Sequence, residues 1–298
     1  MKKIFSILAT FLSILTFYSC DSLERDIDLN LPEPDRIMTV ECYLIAGEPY
    51  RVLLTETKGF FEDLNACPLV KGATVIIKHN GVADTLKESF YFSDNCPSDS
   101  LFGFIPYFNA DFTRFYNYGS NTICPLDYDN DFELEVFDPQ GNRYAIARTR
   151  FLRPVPINDM AISFKDTMAS LIVSAPDDIN TVDFYRLMLH KGSLTDTAGF
   201  FNICKDPVFD LSIDDARFFN NGVIAFGTGY DFIIGDTLIT SIYHIEKEYH
   251  DYLETIADAE TANFSPFAQP SRILTNIQGG QGIFTSLSFT RDTVIVIR

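Results

Sequence analysis

Met38-Thr39-Val40-Glu41-Cys42-Tyr43-Leu44 carries the fold class of this 298-residue chain. Met38, Val40, Cys42 and Leu44 alternate with Thr39, Glu41 and Tyr43, the two-residue period of a strand with one face in a core. Outward from it, Gly47-Glu48-Pro49 turns the chain into Tyr50–Thr55. Ala73–Lys78 and Asp84–Lys87 flank Asn80-Gly81, a hairpin signal because both turn residues tolerate positive φ. Phe132–Phe137 and Tyr144–Thr149 flank Asp138-Pro139-Gln140-Gly141, a second turn.

Arg153-Pro154-Val155-Pro156 withholds two backbone donors and favours extended geometry, which suits a connector. Strand-like runs resume at Met160–Phe164, Ala169–Ser174, Phe184–His190, Val223–Phe226 and Asp236–His244, and the chain closes with Gly282–Phe289 and Thr293–Ile297. Between Glu246 and Ala257 the period changes: Tyr249, Leu253 and Ile256 fall at helical spacing. Glu88 to Asp131 reads as long loops with one or two short strands. The expectation is a mainly β protein of two β-sandwich-like domains, residues 37–153 and 154–298, with one helix at about 246–257 in the second.

The 23 basic and 41 acidic residues give a net charge of −18. That excludes nucleic acid as a partner, since phosphate binding needs clustered Lys and Arg. The 46% hydrophobic content excludes a disordered chain. Lys2-Lys3, the apolar run Ile4–Tyr18 and Ser19-Cys20 form a secretory signal over residues 1–19, too short for a membrane span. Phe17-Tyr18-Ser19-Cys20 resembles a lipobox whose cysteine is acylated, with Phe17 where Leu is usual and Tyr18 where a small residue is usual. The acyl chains would hold the protein on a bilayer. Residues 20–36 are acidic and contain Pro32 and Pro34, the composition of an extended tether.

Five cysteines follow Cys20, so at least one stays unpaired within a monomer. Cys42 lies on the inward phase of its strand as a buried filler. Any two of Cys67, Cys96 and Cys124 can pair, and Cys96 with Cys124 is the preferred pair, stapling the long loops. No CxxC, HExxH, GxSxG, Walker or dinucleotide motif occurs, so no metal site, no cofactor and no catalytic group is expected. His79 beside a hairpin turn and His190 at a strand end read as surface residues. Asp127, Asp129, Asp131 and Glu133 have the density of a Ca²⁺ loop, but Phe132 replaces the glycine an EF-hand needs, and a solvated loop is the better reading. Gly279-Gly280-Gln281-Gly282 reads as a tight turn. Phe102, Phe104, Tyr107, Phe108, Phe112, Phe115, Tyr116 and Tyr118 cluster in loop-like sequence. Most serve packing, and the stretch is the candidate contact surface for a glycan or protein.

These parts together resemble the DUF4249 family of Bacteroidota lipoproteins. The resemblance rests on Cys20 with its acidic follow-on, Met38–Tyr43 before a Gly-Glu-Pro turn, and Lys71–Val75. In the last hundred residues it rests on Asp215–Asn220, Gly235–Leu238, Ile245–Ile256, Ser265-Pro266-Phe267 and Asn276–Phe284, its most specific part. Cys42 departs from the family's small residue, and the Glu88–Asp131 loops match nothing particular. The resemblance implies a transthyretin- or immunoglobulin-like first domain and no established activity. It also implies an outer-membrane location, on the cell surface, beside a TonB-dependent receptor. The expected function is a non-enzymatic accessory lipoprotein of an uptake complex, membrane-bound through Cys20. A glycan-binding or a structural, adhesive surface lipoprotein is the alternative, with a glycan or peptide as ligand.

Overall fold

Asn80 and Gly81, with φ of 52° and 78°, close a two-residue hairpin between β3 (Thr74–His79) and β4 (Val82–Phe92). Positive φ at both central residues is what that turn demands. The structure is a computed structural model. It describes residues 36–57, 68–92, 115–198, 201–204, 209–214, 222–263 and 272–298. The signal segment, Cys20 and the tether up to residue 35 lie outside these residues.

Within Arg36–Arg298, which forms one compact unit, strands dominate. β1 (Met38–Ile45) and β2 (Pro49–Glu56) form a hairpin, and β5 (Phe115–Ile123) pairs with both β2 and β4. β6 (Phe132–Phe137) and β7 (Arg143–Thr149) extend the sheet past β3. At the β6–β7 turn, Asp138 Oδ1 accepts from Gln140 N at 2.9 Å and Asn142 N at 2.8 Å, the local bonding that makes Asp a turn residue.

After the connector come β8 (Asp159–Lys165), β9 (Met168–Pro176) and β10 (Phe184–Lys191), then β11 (Thr195–Ala198), β12 (Phe201–Cys204) and β13 (Phe209–Asp214). β14 (Val223–Gly227) and β15 (Thr237–Ile245) precede helix α1 (Lys247–Asn263), and β16 (Gln281–Ile295) ends the chain. Eleven strands form one sheet in the order β13-β10-β15-β16-β1-β2-β5-β4-β3-β6-β7. β14-β9-β8 form a three-stranded sheet, and β11-β12 a separate hairpin.

Three cores follow. The inward phases of β1, β2, β3, β6 and β7 meet in one, around Val40, Leu54, Phe132 and Phe284. The three-stranded sheet covers one face of β10 and β15 through Leu171, Val173, Leu187 and Ile242. Helix α1 covers their other face, with Tyr249 and Tyr252 against Met188, Tyr243 and Leu287. β10 is therefore buried on both sides.

The connector at Arg153–Pro156 marks the change from the first core to the second, yet the large sheet spans it. β16 runs parallel to β1, Thr39 opposite Gln281 through Ile45 opposite Leu287, and antiparallel to β15. The two runs read as separate final strands are one strand. Arg291, in the gap between those two runs, lies within the strand, where its Nε donates to Ser241 Oγ at 2.8 Å and its guanidinium lies 4.6 Å from the Phe289 ring centroid. The helix also continues beyond its last apolar anchor to Asn263.

Candidate functional site

A cleft of about 430 Å³ opens where the β6–β7 edge meets the start of α1. Antiparallel pairing sets Glu133 opposite Arg148 and Glu135 opposite Ile146, so the outward phase of this ribbon makes one wall. Arg143 and the backbone-proximal parts of Leu134 and Ala147 complete it. Glu246 and Glu248, at the head of α1, and the amides of Asn276 and Gln278 form the facing wall.

The second wall is held by close backbone packing. Ile146 N donates to Gln278 O at 3.1 Å, and Gln278 N donates back to Ile146 O at 2.9 Å. Asn276 Nδ2 donates to Phe284 O at 2.7 Å, and its Oδ1 accepts from Phe284 N at 3.0 Å. Gly279 and Gly282 have φ of 93° and 101°, and a Cβ at either would enter the envelope of Tyr144 O or Val40 O. The turn read from Gly279–Gly282 is thus a wedge between β7 and β1 that only glycine fits.

Glu246 joins the walls. Its backbone carbonyl accepts from Tyr249 N at 3.0 Å and His250 N at 3.1 Å, starting the helix. Its carboxylate accepts from the buried Thr149 hydroxyl, and Thr149 Oγ1 in turn accepts from Ser286 N at 3.0 Å. Burial pushes the Glu246 carboxyl up to about 7, although the bonds from Thr149 and from the Arg150 amide favour its ionised form. Along the wall, Glu133 pairs with Arg148 at 2.7 Å and Glu135 with Lys78 at 2.6 Å.

The expected site residues fall elsewhere. Tyr116 and Tyr118 are buried in β5, Tyr118 Oη donating to Val70 O at 3.2 Å, so both belong to the core rather than to a contact surface. Phe115 heads the same strand, and Phe102, Phe104, Tyr107, Phe108 and Phe112 lie outside the described residues. Cys42 is the buried filler its phase implies. Cys124 is a buried free thiol, Sγ 3.7 Å from Pro125 O, and so forms no bridge here to Cys96, which lies outside the described residues. Burial pushes the Cys124 thiol up to about 12.

Asp127 spends both oxygens at home. Oδ1 accepts from Asp129 N at 2.8 Å, and Oδ2 accepts from Asn130 Nδ2 at 2.9 Å and lies 3.0 Å from His79 Nε2. These bonds, led by the one from Asn130, hold its carboxyl down at about 2. Asp127 thus organises the turn that leads into β6. His79, stacked on Phe132, and His190, fully enclosed in β10, are not the surface residues expected. Among the described residues, His250, Asp251 and Glu254 alone bring three ligand-type atoms within 4.8 Å, and Asp251 is already paired with Lys247.

The architecture defines a mainly β, sandwich-like class of chain with a polar cleft at the junction of its halves. The chain belongs to the DUF4249 family, described as a domain of unknown function, whose model matches residues 24–293. No curated protein matches it. Among solved structures it is similar to chains titled "Cytokine receptor complex", in two crystal forms. The first is 13% identical at a TM-score of 0.26, covering 85% of this chain and 94% of that one. The second is 13% identical at 0.25, covering 70% and 90%. Likeness at that level carries no functional argument.

Proposed function

We propose that this protein is a non-enzymatic lipoprotein of the bacterial outer membrane, acylated at Cys20 and displayed on the cell surface. In this reading it serves as an accessory subunit of a TonB-dependent uptake receptor in a member of the Bacteroidota. The observation that carries it is the Met1–Cys20 stretch: a Lys-Lys start, an apolar run below spanning length and a lipobox-like cysteine. Among the described residues no helix is long and apolar enough to cross a membrane, which leaves attachment to the amino-terminal lipid in this reading. An acidic body is repelled by anionic headgroups, so its own charge supplies no hold on the bilayer. The receptor partnership rests on the family resemblance.

Labelling cells with an alkyne-bearing palmitate tests the anchor. Label should enter the wild-type chain and be absent from Cys20→Ser, with the variant leaving the membrane fraction. Label retained by Cys20→Ser would defeat the anchor. Affinity capture of the acylated protein should then bring down a barrel receptor, and its repeated absence would remove the partnership.

A further inference from the structure

We propose that His244 is a proton-operated clasp: as the imidazolium it fastens the connector at Arg153 and the β9–β10 loop at Asp183 to β15, and on losing its proton it lets the connector go. This inference does not depend on lipidation of Cys20.

Both ring nitrogens of His244 meet acceptors. Nδ1 donates to the Arg153 carbonyl at 2.8 Å, and Nε2 lies 3.1 Å from Asp183 Oδ1. A carbonyl and a carboxylate only accept, and a neutral imidazole carries one N–H. The two bonds therefore stand together only while the ring holds two protons. A proton placed on the Asp183 carboxyl instead leaves the same total, one more than a neutral ring beside a carboxylate. The connector invites this arrangement, because Pro154 and Pro156 have no N–H and leave carbonyls as its main handles. Arg153 O goes to His244, and Val155 O accepts from Thr290 Oγ1 at 2.6 Å.

The ring stacks on Tyr185, its cross-strand partner on β10, with centroids 5.1 Å apart, and is paired with Ser288 on β16. Other charges nearby are engaged elsewhere. Tyr185 Oη donates to Asp177 Oδ1 at 2.8 Å, the Arg153 guanidinium lies 4.8 Å from the Tyr128 ring centroid, and Glu246 accepts from Thr149. The His244 and Asp183 side chains are 15% and 20% exposed, enclosed enough to hold the geometry and open enough to exchange protons with water. In the neutral ring the remaining N–H stays with the carboxylate, the stronger acceptor, so Nδ1 turns a lone pair on Arg153 O. Histidine changes charge within the physiological range, so the clasp closes on the acidic side and opens on the alkaline side. Phe151 is seated in the first core and Val155 and Ile157 against the second, so opening loosens the passage between the cores rather than the cores themselves. His79 is the natural contrast. Among the described residues its one polar partner is Asp127, at 3.0 Å, and a neutral ring with its proton on Nε2 keeps that bond.

The test uses the full-length chain in detergent. Ring ¹⁵N spectra follow the histidines from pH 5 to pH 8, with His244→Gln assigning the His244 signals. Hydrogen–deuterium exchange, corrected for the intrinsic pH dependence, follows Leu152–Asn158. Connector exchange should rise about fivefold, the effect of losing one hydrogen bond, with the same midpoint as the His244 ring. The Asp127–Asn130 turn should show no step as His79 titrates. Asp183→Asn supplies an amide that can donate to Nε2 of the neutral ring, leaving Nδ1–H for Arg153 O. That variant should hold the connector at its acidic level of protection throughout, whereas a purely structural role for Asp183 would loosen it at every pH. The proposal is overturned by connector exchange that ignores the His244 titration, or by a step that Asp183→Asn retains. Loosening of that variant at every pH overturns it equally.

Discussion

Glu41 shares the phase of β1 with Tyr43, which packs in the core under α1, and lies near Tyr252. Among the described residues no hydrogen-bond donor or cation meets its carboxyl, and burial pushes it up to about 7 from 4.5. The native state therefore keeps a proton there that the unfolded chain has released between those values. Glu41 lowers stability progressively as pH rises from about 4.5 to about 7, by on the order of 3 kcal/mol. Glu246 acts in the same direction. Asp127 acts oppositely, its contribution present above the ordinary carboxylate value and lost as pH falls toward 2. Urea melts from pH 3 to pH 8 should peak at about pH 4 to 5. Glu41→Gln should flatten the fall above that peak and raise stability at pH 8; an unchanged slope would place the proton elsewhere. Gly282→Ala forces a side chain against Val40 O at a φ of 101° and should cost several kcal/mol or prevent folding. Little of the cleft could be read from sequence. Glu133, Gln278 and Glu246 belong to different elements, and nothing in their spacing announces that folding brings them together. The one local signal was the phase of β6 and β7, whose outward positions alternate Glu133 and Glu135 against Arg148.

At the scale of elements, period and turn chemistry located most strands, because one face of each points into a core and the other does not. β10 shows where that signal weakens. Buried on both faces, it reads as a continuous apolar run and conceals Arg186 and His190 inside the molecule. Arg186 Nη1 donates to Tyr249 Oη at 2.8 Å, tying the strand to the helix above it. Tyr249→Phe keeps the ring and removes that acceptor, so the variant should lose about 1–3 kcal/mol in chemical denaturation. A loss below 0.5 kcal/mol would show that Arg186's other contacts suffice. The carboxy-terminal end of α1 was illegible for the opposite reason: Asp258–Asn263 mixes the good helix formers Ala259, Glu260 and Ala262 with the weak ones Asp258, Thr261 and Asn263 and has no apolar stripe to betray the period. β13 by contrast alternates strictly, Phe209, Leu211 and Ile213 against Asp210, Ser212 and Asp214, so its strand period is legible in the sequence although it is absent from the expected strands.

For the molecule as a whole, the expected sandwich-like β architecture is present, while its connectivity was hidden. Parallel pairing of β1 with β16 joins the beginning of the described chain to its end, and no local pattern reports a contact between residues 39 and 281. Because β16 supplies Phe284 to the first core, Val296 follows it into the second, and Leu287 lies in the third, the cores share one strand and should melt together. Calorimetry should show a single transition with matching calorimetric and van't Hoff enthalpies, and two resolved transitions would refute the coupling. The same strand orders events in time. A chain made or threaded amino end first presents Val40, Cys42 and Leu44 to water until residues 281–287 emerge to lie beside them. Completion of the sheet must wait for residues 281–295, so the pairing of β1 with β16 forms only after the intervening elements have been made. A chaperone that shields nascent apolar surface, or a translocase that needs an unfolded substrate, would have the whole of that interval in which to act.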